Sequence, residues 1–232
     1  MTKVLIGIQA RSTSERLPRK HHEFIGGKRL LSHVISACNS SRNYVNSRKE
    51  DDIASVYVLT PTDDPIGLDF ADECRMFYGS EFDVLSRYAK CARELEATHV
   101  VRITGDCPLI PPFLISKVIL LGLSAGYDYL SNVDERCRSS IDGTDAEFIS
   151  IRLLDWLDQN SQDREHVTTL ARSAPPKWAK CGFIGQFFDL SDVKLSVDTE
   201  EDLARVRKSY SRTIEKFHKA RQVYNSHCIH RI

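Results

Sequence analysis

The sequence lacks the glycine patterns that mark most nucleotide-binding loops. The 232-residue chain has 11 glycines, but they form neither the Gly-x-x-x-x-Gly-Lys-Ser/Thr pattern of a P-loop nor the Gly-x-Gly-x-x-Gly pattern of a dinucleotide-binding fold. A Gly-x-Ser-x-Gly elbow is also missing, so we set aside catalysis by a serine–histidine–aspartate relay. Any phosphate binding must therefore depend on residues other than a glycine-rich loop.

The chain also lacks paired cysteines. Its seven cysteines are scattered without a Cys-x-x-Cys pair and their number is odd, so neither a disulfide framework nor a zinc site is predicted. No apolar run approaches membrane-spanning length, and no cleavable leader pattern opens the chain. We therefore expect a protein of the reducing cytoplasm with no membrane partner.

An excess of charge of either sign is absent as well. Lys plus Arg and Asp plus Glu both number 32, so the basic footprint of a nucleic-acid-binding protein is missing and no nucleic-acid partner is predicted. Hydrophobic residues make up 41% of the chain, which is enough for one sizeable core. We expect residues 1–232 to form a single domain, and residues 132–190 are the place for a small dimerisation or acceptor lobe if one exists.

What the sequence does have is a cation-rich loop directly after an apolar run. Residues 3–8 read Lys-Val-Leu-Ile-Gly-Ile, the pattern of a central strand buried on both faces. Arg11, Arg16 and Lys20 follow, with the hydroxyl of Ser14 between them. Arginine grips phosphate oxygens in a bidentate fork and lysine supplies a mobile charge, so we interpret this basic loop as the seat of a triphosphate. The alternative is a solvated basic loop.

Strand and helix patterns alternate along the rest of the chain. This alternation predicts an α/β fold with three α/β/α layers and a mostly parallel, Rossmann-like sheet. The further predicted strands cover residues 55–59, 75–78, 98–103, 126–132, 145–150 and 194–197. The predicted helices cover residues 30–38, 66–74, 83–96, 111–121, 151–158, 163–171 and 199–210, and residues 40–52 are predicted to form a polar surface insertion.

Two aspartates each follow a predicted strand. Asp106 comes after residues 98–103, and Asp198 comes after residues 194–197. Because ligands collect at the carboxyl ends of strands in open α/β sheets, both carboxylates are candidates for the edge that carries the basic loop. Mg²⁺ takes one or two carboxylates together with phosphate oxygens, so the pair suits a metal site. The alternative readings are a Gly-Asp turn for Asp106 and a helix N-cap for Asp198.

The middle of the chain supplies candidates for binding an acceptor. Asn132 ends a predicted strand, and Asp145 and Glu147 alternate along the next one. Arg164 and His166 open a predicted helix, where an anionic acceptor would find favourable charge. The alternatives are an exposed acidic hairpin for the two carboxylates and a capping or core role for the histidine.

The basic loop resembles a known family signature. Residues 10–20 read Ala-Arg-Ser-Thr-Ser-Glu-Arg-Leu-Pro-Arg-Lys, which is similar to the Ala-Arg-x-x-Ser-x-Arg-Leu-Pro-x-Lys signature of the cytidylyltransferases that make CMP-activated sugars. This family includes CMP-KDO synthetase, CMP-sialate synthetase and, most similar of all, the spore-coat polysaccharide type. Residues 104–110 and 197–203 resemble the family's Gly-Asp-x-Pro-Leu-Ile and Asp-Thr-Pro-Glu-Asp-Leu segments. Residues 26–31, 83–88 and 164–168 extend the likeness over nearly the whole chain.

The resemblance implies a magnesium-dependent enzyme with the fold of the nucleotide-diphospho-sugar transferases. It implies that CMP passes from CTP to a sugar, sugar acid or related small acceptor with release of pyrophosphate, in the synthesis of polysaccharide or glycoconjugate precursors. Similar enzymes are often dimers, so a homodimer is implied too. Carried over from the family, Arg11 and Lys20 would hold pyrophosphate, Ser14 and Arg16 the α-phosphate, Asp106 and Asp198 Mg²⁺, while Thr60, Ser80 and Arg87 would lie near the base.

Departures from the family pattern keep the acceptor open. Cys107 replaces a glutamate of CMP-KDO synthetase, Glu200 stands where proline is usual, and His21 and His22 replace an apolar pair. Two other functions also stay open on the residues alone. One is a glycosyltransferase that consumes a nucleotide sugar on the same type of sheet, and the other is a nucleotide-binding protein without turnover.

Overall fold

A computed structural model of the protein describes residues 1–48, 53–133, 139–185 and 189–212. The strands are β1 (Val4–Gln9), β2 (Phe24–Ile25), β3 (Lys28–Arg29), β4 (Ala54–Pro61), β5 (Arg75–Gly79), β6 (His99–Thr104), β7 (Tyr129–Ser131), β8 (Ala146–Ser150) and β9 (Cys181–Phe183). The helices are α1 (Leu30–Asn46), α2 (Ile66–Asp69), α3 (Val84–Glu94), α4 (Pro112–Ala125), α5 (Ile151–Asn160) and α6 (Thr169–Ser173), followed by α7 over residues 200–212.

Seven of these strands form one sheet in the order β5, β4, β1, β6, β8, β7, β9. β1 pairs in parallel with both β4 and β6, and β4 pairs in parallel with β5. β8 runs antiparallel to its neighbours β6 and β7, and β9 is parallel to β7. One reversed strand in an otherwise parallel sheet confirms the mostly parallel α/β class.

Helices cover both faces of this sheet. Ile6 of β1 lies in one buried cluster with Leu31 of α1 and Ile115 of α4. Leu5 points to the opposite face, where it lies in a second cluster with Tyr88 of α3 and residues of α5. Burying a side chain of this size contributes roughly 1.5–3 kcal/mol, so a strand buried on both faces is strongly held. The predicted three-layer arrangement is confirmed.

Signals in the sequence account for where the helices begin and end. Asp83 accepts a hydrogen bond from the Ser86 N–H at 2.7 Å and so caps α3. Pro112 is the first residue of α4, where its missing N–H costs nothing. The same helix ends at Gly126, whose φ of 62° is left-handed and easy for glycine. The predicted strand over residues 126–132 therefore begins late, at Tyr129.

The prediction for residues 40–52 was wrong because the buried face of the helix at this position has a polar sequence. The surface insertion predicted for residues 40–52 is helical as far as Asn46, where α1 ends. Ser41 and Val45 are buried, and the Ser41 hydroxyl lies 3.0 Å from the Ser116 hydroxyl of α4. Small hydroxyl residues that pair across a helix interface do not register as an apolar stripe. Residues 49–52 of the predicted insertion lie outside the described residues.

Two other predicted elements were also wrong. The helix predicted for residues 163–171 begins only at Thr169, because the Asp163 carboxylate accepts the N–H groups of Glu165 and His166 and holds a turn. The strand predicted for residues 194–197 is reduced to a single bridge between Lys194 and Asp142. The sequence reading missed β9 and the small β2–β3 hairpin. A separate lobe within residues 132–190 stays a prediction.

None of the helices in the described parts of the chain has the length and apolarity needed to cross a bilayer.

Candidate active site

The basic loop begins where three parallel strands end together. Gln9, the last residue of β1, lies opposite Leu59 of β4 and Thr104 of β6. The turns that follow β4 and β6 carry Asp64 and Asp106. The cations of the loop and these carboxylates therefore collect at the carboxyl edge of the sheet, as expected for ligands in open α/β folds.

Asp64, which the sequence reading missed, fixes the start of the basic loop. Its Oδ2 accepts hydrogen bonds from the Ser12 N–H at 2.8 Å and the Ser12 hydroxyl at 3.0 Å. Its Oδ1 accepts the N–H of Ile66 at 2.9 Å. The Arg19 N–H donates to the Ser12 carbonyl at 3.2 Å and closes the loop on itself. An Asp-Pro turn after a strand was the signal in the sequence.

Lys20 lies at the far end of the loop, in a short 3₁₀ turn, and is 8% exposed. Its Nζ donates to Asp106 Oδ2 at 3.1 Å, to Asp198 Oδ1 at 3.0 Å and to the Val197 carbonyl at 2.8 Å. Burial opposes its charge, but the two carboxylates raise the pKa of Lys20 above its usual value. Two aspartates that are far apart in the chain thus meet at one cation.

The backbone and a neighbouring cap explain why Asp198 is available. The Val197 N–H donates to the Asp106 carbonyl at 2.9 Å, which brings the two aspartates together. The N-terminus of α7 is capped instead by Thr199 and Asp202, because the Asp202 carboxylate accepts the Thr199 N–H and the Thr199 hydroxyl accepts the Asp202 N–H. The N-cap alternative for Asp198 is therefore wrong.

Charge also explains why Asp106 stays ionised. Burial raises its pKa, but the Lys20 ammonium and hydrogen bonds from Thr104 and Lys20 outweigh that effect and lower the pKa to about 2. The neighbouring Cys107 thiol lies 3.5 Å from Asp106 Oδ1. Burial, with Asp106 and Asp145 adding to it, raises the pKa of this thiol well above its usual value. Cys107 is therefore a neutral neighbour and not a thiolate nucleophile.

The arginines of the loop are more open than Lys20. Arg11 Nη2 lies 2.9 Å from Glu165 Oε1, with both side chains partly exposed. Arg16 Nη2 lies 3.5 Å from Asp198 Oδ2, and its side chain is 67% exposed. Arg19 Nη2 lies 3.7 Å from Asp69 Oδ2. Glu165, a partner that the sequence reading missed, connects the loop to the segment after α5.

Ser14 and the residues predicted to lie near a base are distributed over the same edge. Ser14 is partly exposed, and its N–H donates to the Ser12 carbonyl at 3.0 Å. The Ser80 hydroxyl accepts the N–H of Asp83 at 3.2 Å, just before α3. Thr60, the residue before the last in β4, is buried, and its hydroxyl has no hydrogen-bond partner among the described residues.

Arg87 is the most unusual side chain of this region. It is 2% exposed, yet its Nε and Nη1 atoms make no hydrogen bond to any described residue. Burial lowers its pKa, and the nearby charge of Arg11 lowers it further. A buried polar group without a partner costs about 1–3 kcal/mol, and more when it is charged. Donors kept in this state are expected where a ligand supplies the missing acceptor.

Two of the acceptor candidates, Asn132 and Arg164, make hydrogen bonds to other groups of the protein. Asn132 is fully buried, and its amide donates to the Thr144 carbonyl and accepts the Ala146 N–H, both at 2.9 Å. Arg164 donates to Asp83 at 3.0 Å and to Asp158 at 2.6 Å. These contacts hold a loop and a helix junction in place.

Glu147 has a network of its own. It is 1% exposed and contacts Arg102 Nη1, while its Oε2 accepts the Tyr129 hydroxyl at 2.5 Å. Burial raises the pKa of Glu147, but Arg102 and Arg172 lower it below its usual value. Arg102 Nε also donates to Gln9 Oε1 at 2.9 Å. Because Gln9 is the last residue of β1, Arg102 connects this network to the carboxyl edge of the sheet. The sequence analysis did not single out Arg102.

The other two acceptor candidates lie nearer the surface. The His166 side chain is 67% exposed, and its Nδ1 lies 3.2 Å from Asp163 Oδ2. Asp145 is half-buried and directly precedes β8. A direct contact of these two residues, or of Asn132, Glu147 and Arg164, with an acceptor stays a prediction.

The carboxylates of Asp106 and Asp198 are the described groups that could hold a magnesium ion. Asp106 and Asp198 both reach the same cation, the Lys20 ammonium, so their carboxylates converge on one point. Hard oxygen donors suit Mg²⁺, which completes its shell with phosphate oxygens and water. Within the described ranges no group of three or more His, Cys, Asp or Glu side chains gathers to hold a metal alone. The site fits an ion that arrives with a triphosphate.

Comparisons with known proteins show the family and the fold of the chain. The model of the family described as Cytidylyltransferase matches residues 5–227. The spore coat polysaccharide biosynthesis protein SpsF of Bacillus subtilis is 28% identical over 223 residues, covering 93% of this chain and 90% of that protein. The solved structure of a cytidylyltransferase from Leptospira borgpetersenii has a TM-score of 0.79 at 27% identity and covers 96% of this chain and 97% of that one.

A more distant structure shares the fold. It is CMP:2-keto-3-deoxy-manno-octonic acid synthetase complexed with CTP, with a TM-score of 0.65 at 15% identity, covering 91% of this chain and 100% of that chain.

Proposed function

Because the chain belongs to the cytidylyltransferase family and is therefore a nucleotidyltransferase, we propose that it transfers CMP from CTP to an oxygen of a small acceptor and releases pyrophosphate. The acceptor is a sugar, a sugar acid or a related small molecule. The observation that carries this proposal is the meeting of Asp106 and Asp198 at Lys20, beside a loop of arginines. Family membership argues against the glycosyltransferase alternative.

The proposed reaction is a single displacement at phosphorus. An acceptor oxygen forms a bond to the α-phosphorus of CTP, the bond from that phosphorus to the bridging oxygen breaks, and pyrophosphate leaves with the electron pair. The acceptor loses its proton to solvent or to a neighbouring base. No covalent intermediate with the enzyme is needed, so the protein contributes position and charge.

The basic loop would stabilise the charge that grows on the leaving group. Arg11 and Lys20 would hold pyrophosphate, while Arg16 and Ser14 would lie nearer the α-phosphate. Arg16 is exposed enough to reach a ligand. Asp106 and Asp198 would hold Mg²⁺, which, when bound, neutralises charge on the phosphate oxygens.

The nucleotide base would lie over β4, β5 and the start of α3. Arg87 and Thr60 supply buried donors that lack partners among the described residues, and a cytosine base offers carbonyl and ring-nitrogen acceptors. Ser80 lies in the connection between β5 and α3. We therefore place the base of CTP beside these residues.

The acceptor would lie at the other end of the edge, near β8. Asn132, Asp145 and Glu147 are the candidates to shape that pocket from β8 and the segments beside it, and Arg164 and His166 are the candidates from the segment that contacts the start of α3. The name of the Bacillus subtilis relative points to polysaccharide precursors as the class of product. A homodimer and a location in the cytoplasm belong to the same proposal.

Pyrophosphate release tests this function. Each of CTP, UTP, ATP and GTP is incubated with Mg²⁺ and a panel of sugars, sugar acids and phosphorylated small acids, and product formation is checked by mass spectrometry. We expect release with CTP and one class of acceptor, together with a CMP-linked product. Equal release from all four triphosphates, or none with any acceptor while CTP binds, would contradict the proposal.

A further inference from the structure

Lys20 is already fully engaged in the protein as described. An ammonium group has three N–H donors. The acceptors are Asp106, Asp198 and the Val197 carbonyl, all within 3.1 Å. These three contacts leave Lys20 no donor for a phosphate. The residue is also only 8% exposed. The state described here therefore cannot be the one in which Lys20 holds pyrophosphate.

The same contacts bear on the two carboxylates. Asp106 Oδ2 and Asp198 Oδ1 each point to Nζ at about 3 Å. Two like charges close together in a partly buried site repel each other, and a cation between them offsets this repulsion. Among the described residues Lys20 is the cation that contacts both carboxylates, since Arg16 and Lys194 each contact only Asp198, at 3.5 Å.

We infer that Lys20 is a resident counter-ion, which a divalent cation displaces from Asp106 and Asp198 and which the triphosphate then captures. This inference rests on the proposed function, since it concerns the same metal and phosphate. Only a change of side-chain torsions is required, because the Lys20 backbone is held in the 3₁₀ turn. Entry of the cation releases three donors at the edge where the leaving group would lie.

The exchange couples the two ligands. When the cation takes the carboxylates, the ammonium becomes available to phosphate, and by thermodynamic reciprocity phosphate that holds the ammonium makes the cation bind more tightly. Arg16 contacts only the outer oxygen of Asp198, at 3.5 Å and largely in solvent. It therefore does not compete for the position between the two carboxylates.

Chemical labelling of the wild-type protein tests the exchange without any variant. Amine acetylation of each lysine is followed by mass spectrometry, first without ligand, then with Mn²⁺ alone, then with Mn²⁺ and inorganic tripolyphosphate. We expect Lys20 to be protected, to become reactive with Mn²⁺, and to be protected again by tripolyphosphate. Lys3, which pairs with Glu96 at 2.6 Å on the surface, should react equally in all three states. Lys20 that stays unreactive with bound Mn²⁺ would overturn the inference.

Metal affinity gives an independent readout. Lys20→Met should bind Mn²⁺ more tightly than the wild type, on the order of tenfold, because the cation no longer has to displace an ammonium. Lys3→Met, which removes a different lysine–carboxylate pair, should bind Mn²⁺ as the wild type does. Unchanged or weaker binding by folded Lys20→Met would refute the exchange. If that variant does not fold, the labelling result decides.

These measurements need no turnover. A protein that exchanges Lys20 for Mn²⁺ but releases no pyrophosphate from CTP would retain this inference and contradict the proposed function. A protein that releases pyrophosphate while Lys20 stays unreactive would do the opposite.

Discussion

The two ends of the sheet edge treat their polar side chains differently. In the nucleotide half, formed by β1, β4, β5 and the start of α3, Arg87 and Thr60 are buried with donors that no described residue satisfies. In the acceptor half, near β8, Asn132 and Glu147 are equally buried but fully engaged with protein groups. In the first half buried donors lack partners among the described residues, whereas in the second half protein groups satisfy them.

This difference has an energetic meaning. Leaving a buried donor unsatisfied costs about 1–3 kcal/mol, which a protein tolerates where ligand binding recovers it. Removing one partner of a buried, hydrogen-bonded ion pair, such as Glu147 with Arg102, costs about 3–5 kcal/mol, because the other charge stays buried and unpaired. Substitutions in the nucleotide half should therefore affect ligands, and those in the acceptor half should affect stability.

The largest expected effect lies between the halves, at the two aspartates. Asp106→Asn and Asp198→Asn should each lower turnover by 10³-fold or more, about 4 kcal/mol of barrier, because a neutral amide cannot hold the cation that offsets phosphate charge. Pyrophosphate release measures this loss, and circular dichroism shows whether the variants fold.

Asp155→Asn is the matched control for these variants. Asp155 pairs with Arg93 at 2.7 Å on the surface, so its loss should leave turnover unchanged. If both active-site variants retained a tenth of wild-type turnover, the metal assignment would fail.

The next effect concerns position within the basic loop. Arg16→Ala and Lys20→Ala should each lower turnover on the order of 10²-fold to 10³-fold, about 3–4 kcal/mol, because they stabilise charge that grows on the leaving group. Arg19→Ala should cost far less, since Arg19 pairs with Asp69, whereas Arg16 and Lys20 contact the active-site aspartates. Steady-state kinetics of the three variants with CTP provides the measurement. Equal and modest losses in all three would mean that the loop acts only by its net charge.

The sequence predicted the positions of the basic loop and of the two strand-end aspartates, but not the long-range contacts around them, for a physical reason. The basic loop and the two strand-end aspartates depend on local order along the chain and on the strand edge, and both follow from the apolar pattern. The contact of Arg11 with Glu165 or of Gln9 with Arg102 depends on packing between distant segments. No pattern within either segment marks such a contact.

The same reasoning applies to the fold. The central strands read as apolar runs, so their positions along the chain and the mostly parallel class could be predicted. The end of α1 could not, because its buried face uses Ser41 and not an apolar residue. Neither could β9, which has only three residues, none of them fully buried.

A third prediction tests the acceptor half. Glu147→Gln should lower the free energy of unfolding by roughly 3 kcal/mol, because it leaves the Arg102 charge buried beside a neutral group. Chemical denaturation measures the change, and the Michaelis constant for CTP should stay the same. Glu96→Gln, at a surface pair with Lys3, should have little effect on either. A large rise in the Michaelis constant for CTP without loss of stability would show that Glu147 serves the ligand instead.

The smallest expected effect separates the two halves most directly. Arg87→Met should raise the Michaelis constant for CTP about tenfold, about 1.4 kcal/mol, because the base loses a donor that is already in place. The melting temperature should not fall, since the change removes a buried charge whose Nε and Nη1 have no hydrogen-bond partner among the described residues, and leaves an apolar chain of similar length. Steady-state kinetics and thermal melting are measured on the same preparation.

Arg93→Met supplies the matched control on the same helix. Arg93 pairs at the surface with Asp155 and Asp158, so its loss removes an arginine of α3 that protein groups already satisfy. It should leave the Michaelis constant for CTP unchanged and lower the melting temperature slightly. If Arg87→Met behaved in the same way, losing stability but not CTP, then Arg87 would hold the protein together, and the contrast between the two halves would not reflect ligand binding.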